Sequence, residues 1–164
     1  LILRYVLQTC STTKEAVEVL RRVPCHMSYN VTVLDRARRY ATVFMAPDRP
    51  SEVTRSPAAT NHQGRVEWSS HARFTSTVER ERFLLNRLTL HTESSDKFIA
   101  AFLKPPLYSI AYDKGFGTLY TAVYLPRLGN VELRWPGSRW QHEIESFKDD
   151  SCCVRTPDVR QPAG

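Results

Sequence analysis

Two runs rich in β-branched and aromatic residues, Met27 to Leu34 and Tyr40 to Ala46, flank the charged pentapeptide Asp35-Arg36-Ala37-Arg38-Arg39. Five residues, four of them charged, are enough to reverse the chain between strands, so the pattern predicts an antiparallel β-hairpin. A second pair follows later, Thr118 to Tyr124 and Val131 to Trp135, joined by a turn at Pro126 to Asn130. Helical patterns stand in groups beside these pairs. Ahead of the first hairpin, Thr12 and Glu15 have capping-box spacing, and Ala16, Val17 and Leu20 recur at helical intervals until Pro24, which predicts a helix over 12–22. Leu1 to Cys10 is apolar and amphipathic, as in a helix already under way. Between the hairpins, Ser76 and Glu79 form another capping box ahead of Val78, Phe83, Leu84 and Leu88, predicting a helix from Thr77 to about Leu90. A shorter helix, Asp96 to Leu103, is capped by Ser95 and stopped by Pro105-Pro106. Strand pairs grouped with helix pairs imply an α+β fold, antiparallel sheet covered by helices, in place of alternating βαβ units.

Pro47, Pro50 and Pro57 punctuate the stretch after the first hairpin and leave room for short extended pieces near Glu52 to Arg55 and at Ala58 to Asn61, before a turn at Gly64. Residues 1–147 read as one domain, and 148–164 as a polar tail that is disordered from Arg155 to Gly164.

At 164 residues and 41% hydrophobic, the chain is long enough for one core. No window approaches the roughly 20 apolar residues of a membrane helix. The net charge of +6 suits an anionic partner, but the basic residues are dispersed and their densest run falls in the hairpin turn, so nucleic acid is not the expected ligand. A phosphate-bearing small molecule such as an acyl-CoA thioester fits the charge equally well. The vicinal Cys152-Cys153 pair, ten residues after His142, lacks the ligand spacing of a zinc site. No metal or cofactor is expected. The compartment stays open, with the cytoplasm favoured, and reduced structural thiols are the default at Cys10, Cys25, Cys152 and Cys153.

Several segments, taken in order, carry a resemblance. They run from Leu3-Arg4-Tyr5-Val6-Leu7-Gln8-Thr9-Cys10 through Glu15-Ala16, Leu20-Arg21-Arg22-Val23-Pro24 and His26-Met27-Ser28-Tyr29-Asn30. Ala59-Thr60-Asn61-His62-Gln63, Thr75 to Arg80, Gly117 to Tyr124 and Leu133-Arg134-Trp135-Pro136-Gly137 follow. This order resembles the acyl-CoA:6-aminopenicillanic acid acyltransferase family over positions 1 to 147. The resemblance implies a four-layer αββα N-terminal-nucleophile hydrolase sandwich, of which this chain would be the C-terminal portion with the first strands missing. It also implies an autoproteolytic precursor whose new N-terminal cysteine attacks a linear amide or an acyl-CoA thioester, with its own α-amine as base. That cysteine would precede Leu1, so the chain alone is expected to be inactive, and the preceding segment of the same precursor is the expected partner.

Such chemistry needs a thiolate, an amine and preorganised donors for the tetrahedral oxyanion. Asn61 stands where the family has the Asn of its Thr-Asn motif, an oxyanion-hole donor; on residue type alone it would equally end a strand or turn. Arg80, in the Ser-x-Val-x-Arg register, is similar to an arginine placed near the nucleophile in the bile-salt hydrolase branch, where it would lower the thiol pKa. It also lies among Glu79, Glu81 and Arg82, where pairing on a solvated helix face is routine. His62 as a general base and Gly115-x-Gly117 as a phosphate loop are set aside, because the family uses the terminal amine and the glycines precede no helix N-terminus. Tyr120, Tyr124, Trp135 and Trp140 read as packing aromatics. A non-catalytic module, either a truncated relative or a basic polyanion-binding domain, is the competing reading.

Overall fold

A computed structural model describes residues 1–66, 68–90 and 92–154. The α+β expectation holds: helices and antiparallel sheet form two compact units, divided after Thr89. The tail expected from Arg155 lies outside the described residues.

The first unit opens with two helices, α1 (Ile2–Thr9) and α2 (Thr13–Arg22). The capping box at the start of α2 is complete: Glu15 N–H donates to the Thr12 hydroxyl, and the Glu15 carboxylate accepts from Thr12 N–H at 3.0 Å. A three-stranded antiparallel sheet follows, β1 (Tyr29–Leu34), β2 (Tyr40–Ala46) and β3 (Arg49–Thr54), with β2 central. Val31 pairs with Val43 and Thr32 with Thr42. Because side chains alternate along a strand, Val31, Val33, Val43 and Met45 share one face, and Asn30, Thr32, Thr42 and Phe44 the other. The first face meets Val6, Ala16 and Leu20 of the helices, and Cys10 and Cys25 pack at the margin of this core. Strand β3 is longer than the extended piece foreseen near Glu52. Pro50 is tolerated there because β3 is an edge strand, where a missing N–H costs no ladder bond.

The hairpin turn carries its charges for a structural reason. The Asp35 carboxylate accepts from Ala37 N–H (2.9 Å), Arg39 N–H (3.0 Å) and Arg39 Nε (2.9 Å), and from Thr13 N–H at 3.1 Å in the first turn of α2. Thr13 in return donates its hydroxyl to Arg39 O at 2.6 Å. The turn is thus clamped to the start of the helix that covers the sheet.

Three short helices' worth of chain complete the picture on either side of the unit boundary. Helix α3 (Ser69–Phe74) buries no residue, and no apolar period announces it in the sequence. Helix α4 (Thr77–Leu88) matches the helix expected from Thr77, but its capping box does not form. Ser76 adopts a left-handed conformation (φ 48°) to turn the chain from α3 into α4, and its side chain makes no cap bond. The extended piece expected at Ala58 to Asn61 is a loop. In the second unit, α5 (Ser95–Ala101) is capped by Ser94, one residue before the expected Ser95, through a bond from Lys97 N–H.

The second unit holds a small ladder, β4 (Ile110–Ala111) with β5 (Phe116–Gly117), and a three-stranded sheet of β6 (Thr121–Leu125), β7 (Asn130–Trp135) and β8 (Ser138–Glu143). Thr118 is bonded back to Ser109 at both N–H and hydroxyl, so the first residues of the expected strand 118–124 belong to the small ladder. Strand β8 was not foreseen; it follows the two-residue turn Pro136-Gly137, where Gly137 has φ 82°. Gly117 lies against the Tyr112 ring, where a Cβ would collide, and this close packing explains the glycine without any phosphate. Tyr120 and Tyr124 are 52% and 66% exposed, so packing is not their role among the described residues of this unit.

Leu20 is fully buried between the helices and the sheet. Leu20→Ala is expected to destabilise the intact protein by about 2–5 kcal/mol, read from the shift of a denaturant midpoint at constant m-value. A second expectation concerns acid. Burial alone would raise the Asp35 pKa, but the N–H groups of Thr13 and Arg39 and the Arg39 guanidinium win, and it falls from 3.8 to about 2. A depressed carboxylate pKa stabilises the fold above the unfolded value and loses that contribution as pH falls through the folded one. The stability gap between the wild type and Asp35→Asn should therefore be constant above about pH 5 and shrink steadily toward pH 2 in acid-unfolding curves.

Candidate functional site

The sheet face turned away from α1 and α2 is polar at one end, and this is where the site is built. Asn30 points its amide from β1 to the loop after β3, donating Nδ2 to Thr60 O at 2.6 Å and to His62 O at 2.9 Å. One residue on, Gln63 donates Nε2 to Tyr29 O (3.1 Å) and Met45 O (3.0 Å), and its Oε1 accepts from Arg49. A loop without a strand partner is thereby fastened to the sheet by side-chain amides, which supply both donors and acceptors.

The other side of the loop is fastened to the first turn of α4. Thr77 is fully buried, and its hydroxyl oxygen accepts the Asn61 N–H at 2.7 Å. Thr60 and Thr77 exchange two further bonds: Thr60 Oγ1 to Thr77 O at 3.1 Å, and Thr77 Oγ1 to Thr60 Oγ1 at 2.8 Å. His62 closes the cluster, with Nδ1 3.0 Å from Thr77 Oγ1 and Nε2 3.1 Å from the Glu81 carboxylate, one turn further along α4.

The two residues singled out from sequence come together. Arg80 Nη2 donates to Asn61 Oδ1, and Arg80 Nε donates to Thr75 O at 3.0 Å. A guanidinium can only donate, so the Asn61 oxygen must face Arg80 and the Asn61 NH₂ group must face away from it. Arg80 is half-buried, and burial holds its pKa below the usual arginine value. Its bonds lead to Thr75 and Asn61, and the solvated pairing with Glu79 or Glu81 foreseen as the alternative is not among them.

Asn61, His62 and Arg80 line a cleft of about 1100 Å³ within the first unit. Its walls mix apolar surface from Met27, Val66 and Trp68 with the cationic groups of Arg49, Arg65 and Arg80, and Asp48 is the acid among the described lining residues. The cleft thus combines apolar and polar surface with an oriented amide donor, and Arg49 in it is paired with Asp48 at 3.4 Å. Cys10 and Cys25 lie elsewhere, on the helix-covered face of the sheet. No group of three His, Cys, Asp or Glu side chains placed to hold a metal occurs among the described residues. Nor is any helix there long and apolar enough to cross a membrane. Sequence reading missed Asn30, Thr77 and Glu81, whose parts depend on partners 15 or more residues away; the run Thr60-Asn61-His62-Gln63, all four engaged, was the local signal.

Comparison with known proteins adds one finding. No curated protein and no solved structure matches the chain. The family described as Acyl-coenzyme A:6-aminopenicillanic acid acyl-transferase matches residues 1–140, which include both hairpins and every residue of the cleft. Over that span the segments identified from sequence fall within the match, and the chain belongs to the acyl-coenzyme A:6-aminopenicillanic acid acyltransferase family.

Proposed function

We propose that this chain supplies the oxyanion-stabilising half of a cysteine amidohydrolase or acyltransferase site, acting on linear amides or acyl-CoA thioesters through an acyl-enzyme. The observation that carries the reading is the Asn61–Arg80 bond, which leaves an amide NH₂ aimed away from the arginine at the edge of the cleft. In this reading a thiolate attacks the acyl carbonyl, and the C=O electron pair moves onto oxygen. Asn61 Nδ2 donates to that oxygen as charge develops, which is where a preorganised donor lowers the barrier. Collapse of the tetrahedral species expels the amine or the CoA thiolate and leaves the acyl group on sulfur, to be taken by water or by an acceptor amine.

The thiolate is assigned to an N-terminal cysteine exposed by autoproteolysis in a segment preceding Leu1, with its α-amine as base. The packing of Cys10 and Cys25 against the helix-side core, away from the cleft, favours this over either of them. In the same reading, the four-layer αββα sandwich is completed by that segment, and the precursor's own upstream part is the partner. Arg80 acts first by orienting Asn61; its charge also favours the thiolate form of a nucleophile brought into the cleft.

In the full-length protein, Asn61→Ala is expected to slow acyl-enzyme formation on a chromogenic amide by about 10²–10³-fold, the usual cost of one oxyanion-hole donor. Ground-state binding should change little. An unchanged acylation rate would remove Asn61 from the oxyanion hole. Arg80→Lys should also slow acylation, because a lysine point charge cannot reproduce the fork that bonds Thr75 and Asn61 together.

A further inference from the structure

The peptide group that leads into Asn61 is held at both of its ends, by two different elements. Its carbonyl, Thr60 O, accepts from Asn30 Nδ2 of β1 at 2.6 Å, and its N–H, that of Asn61, donates to Thr77 Oγ1 of α4 at 2.7 Å. A trans peptide is planar and points its C=O and N–H in opposite directions, so bonds at both ends hold the plane against rotation. The second proton of the Asn30 amide goes to His62 O at 2.9 Å and fastens the chain on the far side of Asn61. Chemistry fixes the direction of each of these bonds. A backbone N–H only donates and a carbonyl only accepts, so Asn30 presents its NH₂ group and Thr77 an oxygen lone pair, whichever way the Thr77 hydroxyl proton points. Thr77 is fully buried, where a hydroxyl is costly unless it is bonded, and its hydroxyl contacts lead to Thr60, Asn61 and His62.

We infer that Thr77 and Asn30 are positioning residues for the acyl-transfer step. Between them they set the plane from which the Asn61 side chain springs, and Arg80 then sets which way its amide faces. The inference rests on the proposed oxyanion role of Asn61 for its effect on rate, while the pinning of the peptide can be read without any chemistry. Thr77 is the sharper probe of the two, because it bonds Asn61 itself and valine has nearly its shape without the acceptor. With that acceptor gone the plane can turn, which swings the Asn61 Cα–Cβ bond and carries Nδ2 off the oxyanion; a misplacement of about 1 Å is enough to cost up to about 10²-fold. Thr77→Val changes no charge, so it separates the placing of the Asn61 donor from the electrostatic effect of Arg80.

Two measurements on the full-length protein test this. The first is hydrogen exchange at the Asn61 amide, followed by NMR and compared with amides of the central strand β2, which report global opening. Exchange at Asn61 should quicken about tenfold relative to β2 in Thr77→Val and stay as in the wild type in Thr77→Ser. Equal protection in all three proteins overturns the pinning. The second is a double-mutant cycle. Thr77→Val is expected to lower kcat about 10- to 100-fold with KM changed less than about twofold, and Thr77→Ser to restore most of the loss. In the Asn61→Ala background Thr77→Val should cost almost nothing, since the group it positions is gone. An additive loss, or a fall confined to stability with kcat intact, overturns the positioning role. Should Thr77→Val fail to fold, Asn30→Ala carries the same cycle and the same exchange comparison from the sheet side. If Asn61→Ala itself leaves acylation untouched, the oxyanion reading fails, and the exchange comparison still decides whether the peptide is pinned.

Discussion

The alternation of side chains along β1 is the constraint on which the first unit depends. Val31 and Val33 pack against the helix-side core while Asn30 and Thr32 face the other way, so one sheet face is committed to the helices and the other is left for polar work. A one-residue slip in register would exchange the faces, taking Asn30 from the loop and placing it under α2. The register is held at the turn end by Asp35, whose carboxylate gathers the hairpin's own N–H groups and the first N–H of α2. The apolar core and the polar site are thus two sides of one strand, specified by one pattern.

On the polar side, the loop 59–63 is a case of backbone satisfied without secondary structure. Buried carbonyls and N–H groups demand partners. Asn30 and Gln63 provide them toward the sheet, and Thr77 provides them toward the helix. Every residue from Thr60 to Gln63 is bonded to a neighbour distant in sequence, which makes the loop a rigid bridge between β1 and α4. Asn61 gains its orientation from that rigidity and from Arg80 together: the backbone fixes where the side chain starts, and the guanidinium fixes which way the amide faces. This is the kind of preorganisation that lets a donor act on developing charge without reorganising first.

Much of the fold was legible because it rests on local patterns. The hairpin at 27–46, the Thr12 capping box and the helix starting at Thr77 each follow from period, cap or turn chemistry within a few residues. The misreadings share a cause. Ser76 has the spacing of a capping box, yet the tight junction with α3 forces it into a left-handed conformation in which its side chain makes no cap bond. Strand β8 follows the turn at Pro136-Gly137 and carries no clean alternation of its own, so only its pairing with β7 reveals it. Tyr120 and Tyr124 looked like core by residue type, and burial is decided by what lies over a side chain.

The sequence by itself determined which residues could serve as core, cap and turn, the family to which the chain belongs, and the Thr-Asn-His-Gln run that carries the site. It did so because periodicity and turn chemistry are short-range properties of the backbone. Only the tertiary structure decided that Arg80 points inward to Asn61 and that His62 is clamped between Thr77 and Glu81. Those outcomes depend on hydrogen-bond partners 15 to 19 residues apart, which meet only once folding has brought them within 3 Å or so of one another.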